Sequence, residues 1–244
     1  APTPAQDPDM LLSAARYAAR AGYTRAQQEA YAVQSHVRAT THQALMEKEI
    51  VPIMGIAHDV YPRYIDAKRA ARMPVVARTD AENSDDTYAL STLAISAQAD
   101  GAAFVLLVSP QACEKFKLTP RAEWLAHASV GSAPETPLLA AEIAAQHALQ
   151  RAGLANAQDM THVELHDAFA VQGLSFAQGL SLAPERLNRL GGGLARGHPI
   201  GASAAIALVR LLADLNREGA SRSKGLVAVA GAGGLGAAAI VATL

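Results

Sequence analysis

The sequence has a single cysteine, Cys113. One thiol cannot build a disulfide framework, so a reducing compartment, the cytoplasm, is expected. Blocks of like charge are missing too. Lysine and arginine number 21 and aspartate and glutamate 22, for a net charge of −1, with no basic stripe. Nucleic acid is therefore not an expected partner. The opening APTPAQDPD lacks a basic start followed by an apolar run, so it does not read as a signal peptide. It lacks an initiator methionine as well, and the expectation is that something upstream was removed, cleaved or left out. Tandem repeats and low-complexity tracts are absent. One stretch imitates a membrane span: residues 225–244 carry no charge over twenty positions, the nominal length. Gly231, Gly233, Gly234 and Gly236 interrupt it. It reads instead as two buried strands, 226–230 and 237–243, around a glycine turn.

What is there suits a folded α/β chain. Half of the 244 residues are hydrophobic, enough for one large domain or two small ones. Residues 9–20 read as a helix stopped by Gly22. Thr24 and Gln27 form a capping box for a second helix reaching about Lys48, with Ala26, Ala30, Val33, Val37 and Leu45 as its buried stripe. Residues 50–54 look extended. Residues 56–90 are irregular, with Pro62, Pro74 and the acidic cluster Asp80, Glu82, Asp85 and Asp86, and they read as a functional surface loop. Residues 1–75 thus form a helical, loop-rich subdomain. Beyond it, strands at 102–108, 122–130 and 161–165 alternate with helices at 111–116, 136–152 and 168–180. That order predicts a layered α/β unit with a mostly parallel sheet.

The run GGGLARGHPIGASAA, residues 191–205, ends the alternation. Three successive glycines let backbone approach a neighbour closely. Pro199 directly follows His198 and suits the first turn of a helix. Ile200, Ala204, Leu208, Leu211 and Leu212 recur at helical spacing. His198 is therefore expected at a loop-to-helix junction, held as a working imidazole would be.

These residues carry a resemblance. GGGLARGHPIGASAA resembles the C-terminal signature of the thiolase superfamily, which Asn188, Gly191, Gly192, Gly197, His198, Pro199, Gly201 and Ala202 all fit. VELHDAFA, residues 163–170, is similar to the second motif, in the form nearest to the sterol-carrier-protein-type thiolases. SAQADGAAFVLL, HALQRAGL, SHVRATTHQALMEKEIVPI and the closing glycine-rich hairpin match in order, over nearly the whole chain.

The resemblance implies a layered α-β-α-β-α fold of which this chain supplies the C-terminal half. Residues 1–75 would be part of the loop domain and 76–244 the α/β domain. It implies an acyl-CoA acyltransferase acting on a coenzyme A thioester, with no metal and no covalently bound cofactor. The nucleophilic cysteine would belong to an N-terminal half supplied by the same precursor or a separate chain, in a homo- or hetero-oligomer. His198 would activate that cysteine and donate to the thioester oxygen. His166 would hold an oxyanion-hole water, and Asp167, pointing the other way off a strand end, would not pair with it. Ser96 would line the coenzyme A loop, and the backbone amides near Gly231 and Ala232 would add oxyanion donors. Ala168 and Ala230 stand where relatives place a second thiol, so condensation is disfavoured against acyl transfer. Cys113 reads as a packed, unreactive thiol. Two other readings stay open: a non-catalytic CoA-ester-binding or assembly subunit, and a carbon–carbon lyase drawing on a tyrosine such as Tyr61, Tyr64 or Tyr88.

Overall fold

Two capped helices open the chain. The computed structural model describes residues 8–79 and 85–244; Asp80 and Glu82 of the acidic cluster lie outside them. The Asp9 carboxylate accepts from Leu11 N and Leu12 N at 2.8 and 2.9 Å and starts α1, Met10–Ala21. Gly22, at φ 78°, ends it. Thr24 and Gln27 complete both bonds of the capping box on α2, Arg25–Thr41. Such a cap stabilises by about 1 kcal/mol. The helix stops at His42, earlier than expected, and the short α3, Gln43–Met46, follows.

The buried face of α2 differs from the expected one. Ala26 and Ala30 are exposed, and Val37 is 41% exposed. Gln28, Glu29, Tyr31, Ala32, Ser35, His36 and Ala39 are buried instead. Polar side chains fill this face because several find partners there. Gln28 Nε2 donates to Tyr23 O at 3.1 Å, and Arg25 meets Glu29 at 2.7 Å.

A loop-rich stretch follows, with α4, Ala67–Ala70, and a small antiparallel pair, β1, Val75–Ala77, and β2, Leu90–Ser91. Asp86 joins Arg78 at 2.7 Å and Arg25 at 3.5 Å, tying this stretch to α2.

The strand expected at 102–108 does not form. This run is irregular, with Phe104 94% and Leu106 77% exposed. A strand needs a partner edge, and the run crosses the surface without meeting one. The next helix, α5, Pro110–Phe116, forms with Ser109 as its cap but buries no residue. Cys113 sits there half-exposed, so it is not the packed thiol expected.

The main sheet has four strands in the order β3, β6, β5, β4. They are β3, Ala122–Gly131; β4, His162–Leu165; β5, Lys224–Gly231; and β6, Leu235–Thr243. Only β4 and β5 run parallel; β6 is antiparallel to both β5 and β3. The expected mostly parallel sheet is therefore corrected, and the cause is the glycine turn. Gly233 and Gly234, at φ 78° and 81°, close a tight hairpin, which can only join antiparallel strands. The tail that imitates a membrane span is this hairpin. Among the described residues no helix is long and apolar enough to cross a membrane.

Helix α6, Ala140–Arg151, packs on one sheet face with α7, Ala170–Gly179, beside it. A one-turn helix, α8, Gly193–Arg196, leads to α9, Ser203–Glu218, which covers β5 and β4 from the other face. The main core runs through Leu165, Phe176, Leu226 and Ile240, all fully buried. Burying such a side chain contributes about 1.5–3 kcal/mol. α9 starts later than expected, and Ile200 is exposed. Its buried face is Ser203, Ala207, Arg210, Leu211, Asp214 and Leu215, in which Arg210 pairs with Asp214 at 3.0 Å and with Glu49.

Candidate active site

Three backbone segments meet at the end of β4. His166 N donates to Ala228 O at 3.1 Å and extends the parallel ladder past Leu165. Residues 95–98 run beside it: Ser96 N donates to Ala168 O at 2.9 Å. The same segment binds the end of the glycine loop, because His198 N donates to Ala97 O at 2.7 Å. Ser96 Oγ donates to Gly193 O at 2.6 Å and staples the two together. His166 and His198 are thereby stacked, with ring centroids 4.1 Å apart and planes tilted by 32°.

The glycine loop fits only as glycine at certain positions. Gly191 has φ 93°, and a Cβ there would come within 2.7 Å of Ala39 Cβ. At Gly193 a Cβ would come within 2.7 Å of His166 Cε1. The loop is thus pressed against α2 on one side and the imidazole on the other.

The hydrogen bonds around His198 assign it a tautomer. Its Nδ1 lies 2.8 Å from Ser203 Oγ, and that hydroxyl donates its proton to Pro199 O at 2.9 Å. A hydroxyl has one proton. With that proton donated to Pro199 O it accepts from His198, which assigns the hydrogen to Nδ1 and the lone pair to Nε2. Burial lowers the His198 pKa, which favours the neutral ring, the form that can accept a proton. Ser203, first residue of α9, is a functional candidate that sequence reasoning missed. A hydroxyl five residues past the histidine, at a helix start, was the available signal.

His166 is buried, and its pKa is pushed down to about 3 by burial, then by His198 and Arg196. It is a neutral imidazole whose Nε2 is buried without a partner among the described residues. Asp167 points away from it, as expected. Its Oδ2 accepts from Tyr31 OH at 2.9 Å, and Oδ1 from Leu194 N at 3.4 Å. Burial pushes Asp167 up to about 6 against the Tyr31 bond and the Arg196 charge. Beneath, burial lifts Glu164 to about 7, offset by Arg210 and Arg196, whose Nη2 is 3.6 Å away.

A cavity of about 440 Å³ opens beside His198, lined by Gln98, Ala99, Asp100, His198 and Ile200. A second, about 460 Å³, shares Ala99, Asp100 and Ile200 and continues past Gly101, Pro199 and Ala205. Of the residues singled out in the sequence, His166, His198 and Ser96 come together. Gly231 and Ala232 stand exposed on the turn at the same end of the sheet, outside that cluster. The side chains at Ala168 and Ala230 are half-buried methyls against the core. Tyr64 is largely exposed, and Tyr61 stacks near His36 and Arg63. The tyrosine that reaches the site is Tyr31, through Asp167.

Comparison with known proteins identifies the family. The family described as "Thiolase, C-terminal domain" matches residues 118–243, and "Thiolase, N-terminal domain" matches residues 4–111. An acetyl-CoA acetyltransferase of Chromobacterium violaceum is 35% identical, over 95% of this chain and 60% of its own length. A beta-ketoadipyl-CoA thiolase of Pseudomonas aeruginosa is 36% identical over 82% of this chain and 51% of its own length. The crystal structure of an Ascaris suum thiolase in complex with coenzyme A superposes with a TM-score of 0.83 at 26% identity, over 96% of this chain and 60% of that one. This chain spans between 51% and 60% of the length of these relatives. Its α/β fold and its ordered motifs place it in the thiolase family.

Proposed function

We propose that this chain supplies the histidine side of a thiolase-type acyl-CoA site that forms and resolves an acyl-enzyme. The observation that carries the reading is His198, with Nδ1 bonded to Ser203 and its ring lining a cavity. A base of that kind activates a nucleophilic thiol, and protonated it donates to a thioester oxygen. Neutral His166 holds a hydrogen-bond group next to it for an oxyanion water, and the amides of Gly231 and Ala232 are further donors. The Ser96 loop and the adjoining cavities take the coenzyme A thioester.

The nucleophilic thiol, on this reading, comes from an N-terminal thiolase half, whether joined to these residues or a separate chain. Two facts support it: Cys113 does not line the cavities, and Phe104, Leu106, Leu107, Phe116 and Trp124 leave apolar surface uncovered. Residues 1–75 then serve as part of the loop domain and 76–244 as the α/β half. Alanine at 168 and 230 cannot move a proton at the substrate α-carbon, so acyl exchange or thioester hydrolysis exceeds condensation. The same two alanines favour a second reading, a non-catalytic CoA-ester-binding or assembly subunit.

The test is acetyl exchange and hydrolysis of acetyl-CoA by the assembled protein, beside acetoacetyl-CoA formation. Exchange well above condensation is expected, with Ala230→Cys raising condensation. Condensation near an ordinary turnover of about 10 per second in the wild type would refute the proton-transfer assignment. Binding of acetyl-CoA without any exchange would establish the second reading.

A further inference from the structure

The polar face of α2 has a consequence for the stacked histidines. Tyr31, Ser35 and Arg38 are spaced four and three residues apart, which places them on one face of the helix. All three reach the segments that carry the two imidazoles. Tyr31 OH donates to Asp167 Oδ2 at 2.9 Å, and Asp167 is the residue after His166. Ser35 Oγ accepts from Gly192 N at 2.9 Å, at the start of α8. Arg38 Nη1 donates to Leu187 O at 2.8 Å, at the entrance to the glycine loop. The first two bonds are buried.

The fit is built from both sides. Gly191 lies so close to α2 that a Cβ would stand 2.8 Å from Ser35 O. A methyl at Gly173 of α7 would collide with the Tyr31 hydroxyl, so a glycine leaves the room that this side chain uses. From Gly192 the chain passes through one turn of α8 to Gly197 and His198, with Gly197 N bonded to Gly193 O at 2.7 Å. A short, internally bonded connector of this kind passes a displacement at Gly192 on to the ring. Burial holds the Tyr31 pKa well above its ordinary value, so the hydroxyl keeps its proton and remains a donor.

We propose that Tyr31, Ser35 and Arg38 form a positioning stripe that sets the separation of His166 and His198 by gripping Asp167, Gly192 and Leu187 from α2. None of the three touches the cavities, so each acts through another residue. The inference rests on His198 being the working base, and it ties the helical N-terminal part of the chain to the chemistry of the α/β part.

The experiment uses the full chain and needs no turnover. Imidazole Cε1–H resonances of His166 and His198 are recorded by NMR. The rate of His198 acylation by diethylpyrocarbonate is followed by peptide mass mapping. Tyr31→Phe and Ser35→Ala are expected to move both ring resonances and to change the His198 rate several-fold. Ser35→Thr, which keeps the acceptor, and Gln34→Ala, on the exposed side of α2, are expected to match the wild type. Unmoved resonances and an unchanged rate in folded Ser35→Ala would overturn the proposal. If Ser35→Ala does not fold, Arg38→Lys, which loses the forked donor and keeps the charge, gives the same decision. Resonances that respond as expected in an assembled protein that never exchanges acyl groups would sustain the stripe and defeat the proposed function.

Discussion

The glycine loop and the run from Gly101 to Leu118 meet at Pro199, yet they have opposite surroundings. A Cβ on Gly101 would stand 3.1 Å from Pro199, so the two segments touch beside the same cavity. Residues 191–195 of the loop are buried, with backbone bonded to Ser35, Ser96 and Asp167. The other run exposes Phe104, Leu106, Leu107, Phe116 and Leu118. The apolar run is the more hydrophobic of the two and the worse buried. Partners decide the outcome: polar backbone with matched donors is held in the interior, while apolar side chains without a facing surface stay outside. An exposed patch of that kind marks an interface.

The sharpest way to break this comparison is to remove the group the loop presents. His198→Ala is expected to cost on the order of 10²–10⁴ in thioester chemistry of the assembled protein. His166→Asn should cost less, because an amide replaces the hydrogen-bonding role. If acetyl exchange survives the first change and is lost with the second, the two roles are reversed. Gly191→Ala tests the loop's packing. Its positive φ and the close Ala39 contact predict a loss of about 1–3 kcal/mol, read as a lower urea midpoint at unchanged slope.

A pH comparison is next in size. His166 has a folded pKa of about 3, below its unfolded value of about 6.5. Its contribution is therefore full above pH 6.5 and declines as pH falls toward 3. Asp167 and Glu164, raised to about 6 and 7, act in the opposite sense and lose stability as pH rises through those values. Comparing His166→Asn with the wild type isolates the histidine. Relative to the wild type, the variant should gain about 2 kcal/mol between pH 8 and pH 5. A constant difference across that range in urea titrations would show that His166 is not buried as a neutral ring. The smallest effect belongs to the exposed run. Phe104→Ser is expected to change stability by no more than about 0.5 kcal/mol while lowering self-association in sedimentation. A wild-type chain that is already monodisperse and monomeric, with a sharp unfolding transition, would count against an interface there.

Local signals read well in the sequence. The Thr24–Gln27 box and the Gly22 stop each involve a bond between near neighbours. His166, His198 and Ser96 were legible through ordered motifs. What escaped depends on distant partners. The stripe expected from Ala26, Ala30, Val33 and Val37 rests on periodicity, which rewards apolar residues. The real face holds Tyr31, Ser35 and His36, because two of them meet groups more than 130 residues away. Residues 102–108 failed in the opposite way: an apolar run has strand character, but no edge receives it. Ser203 was overlooked because a hydroxyl at a helix start reads first as a cap, and its contact with the ring shows only in three dimensions.

The bond from His198 to Ser203 divides the imidazole into a fixed side and a working side. With the Ser203 proton assigned to Pro199 O, the hydroxyl accepts from Nδ1 and offers that hydrogen no exchange partner. Charging the ring and discharging it both occur at Nε2 alone, and the far side is the same before and after. On the proposed function, the histidine would then cycle without flipping or changing tautomer, and a proton taken from a thiol would return through the same face of the site.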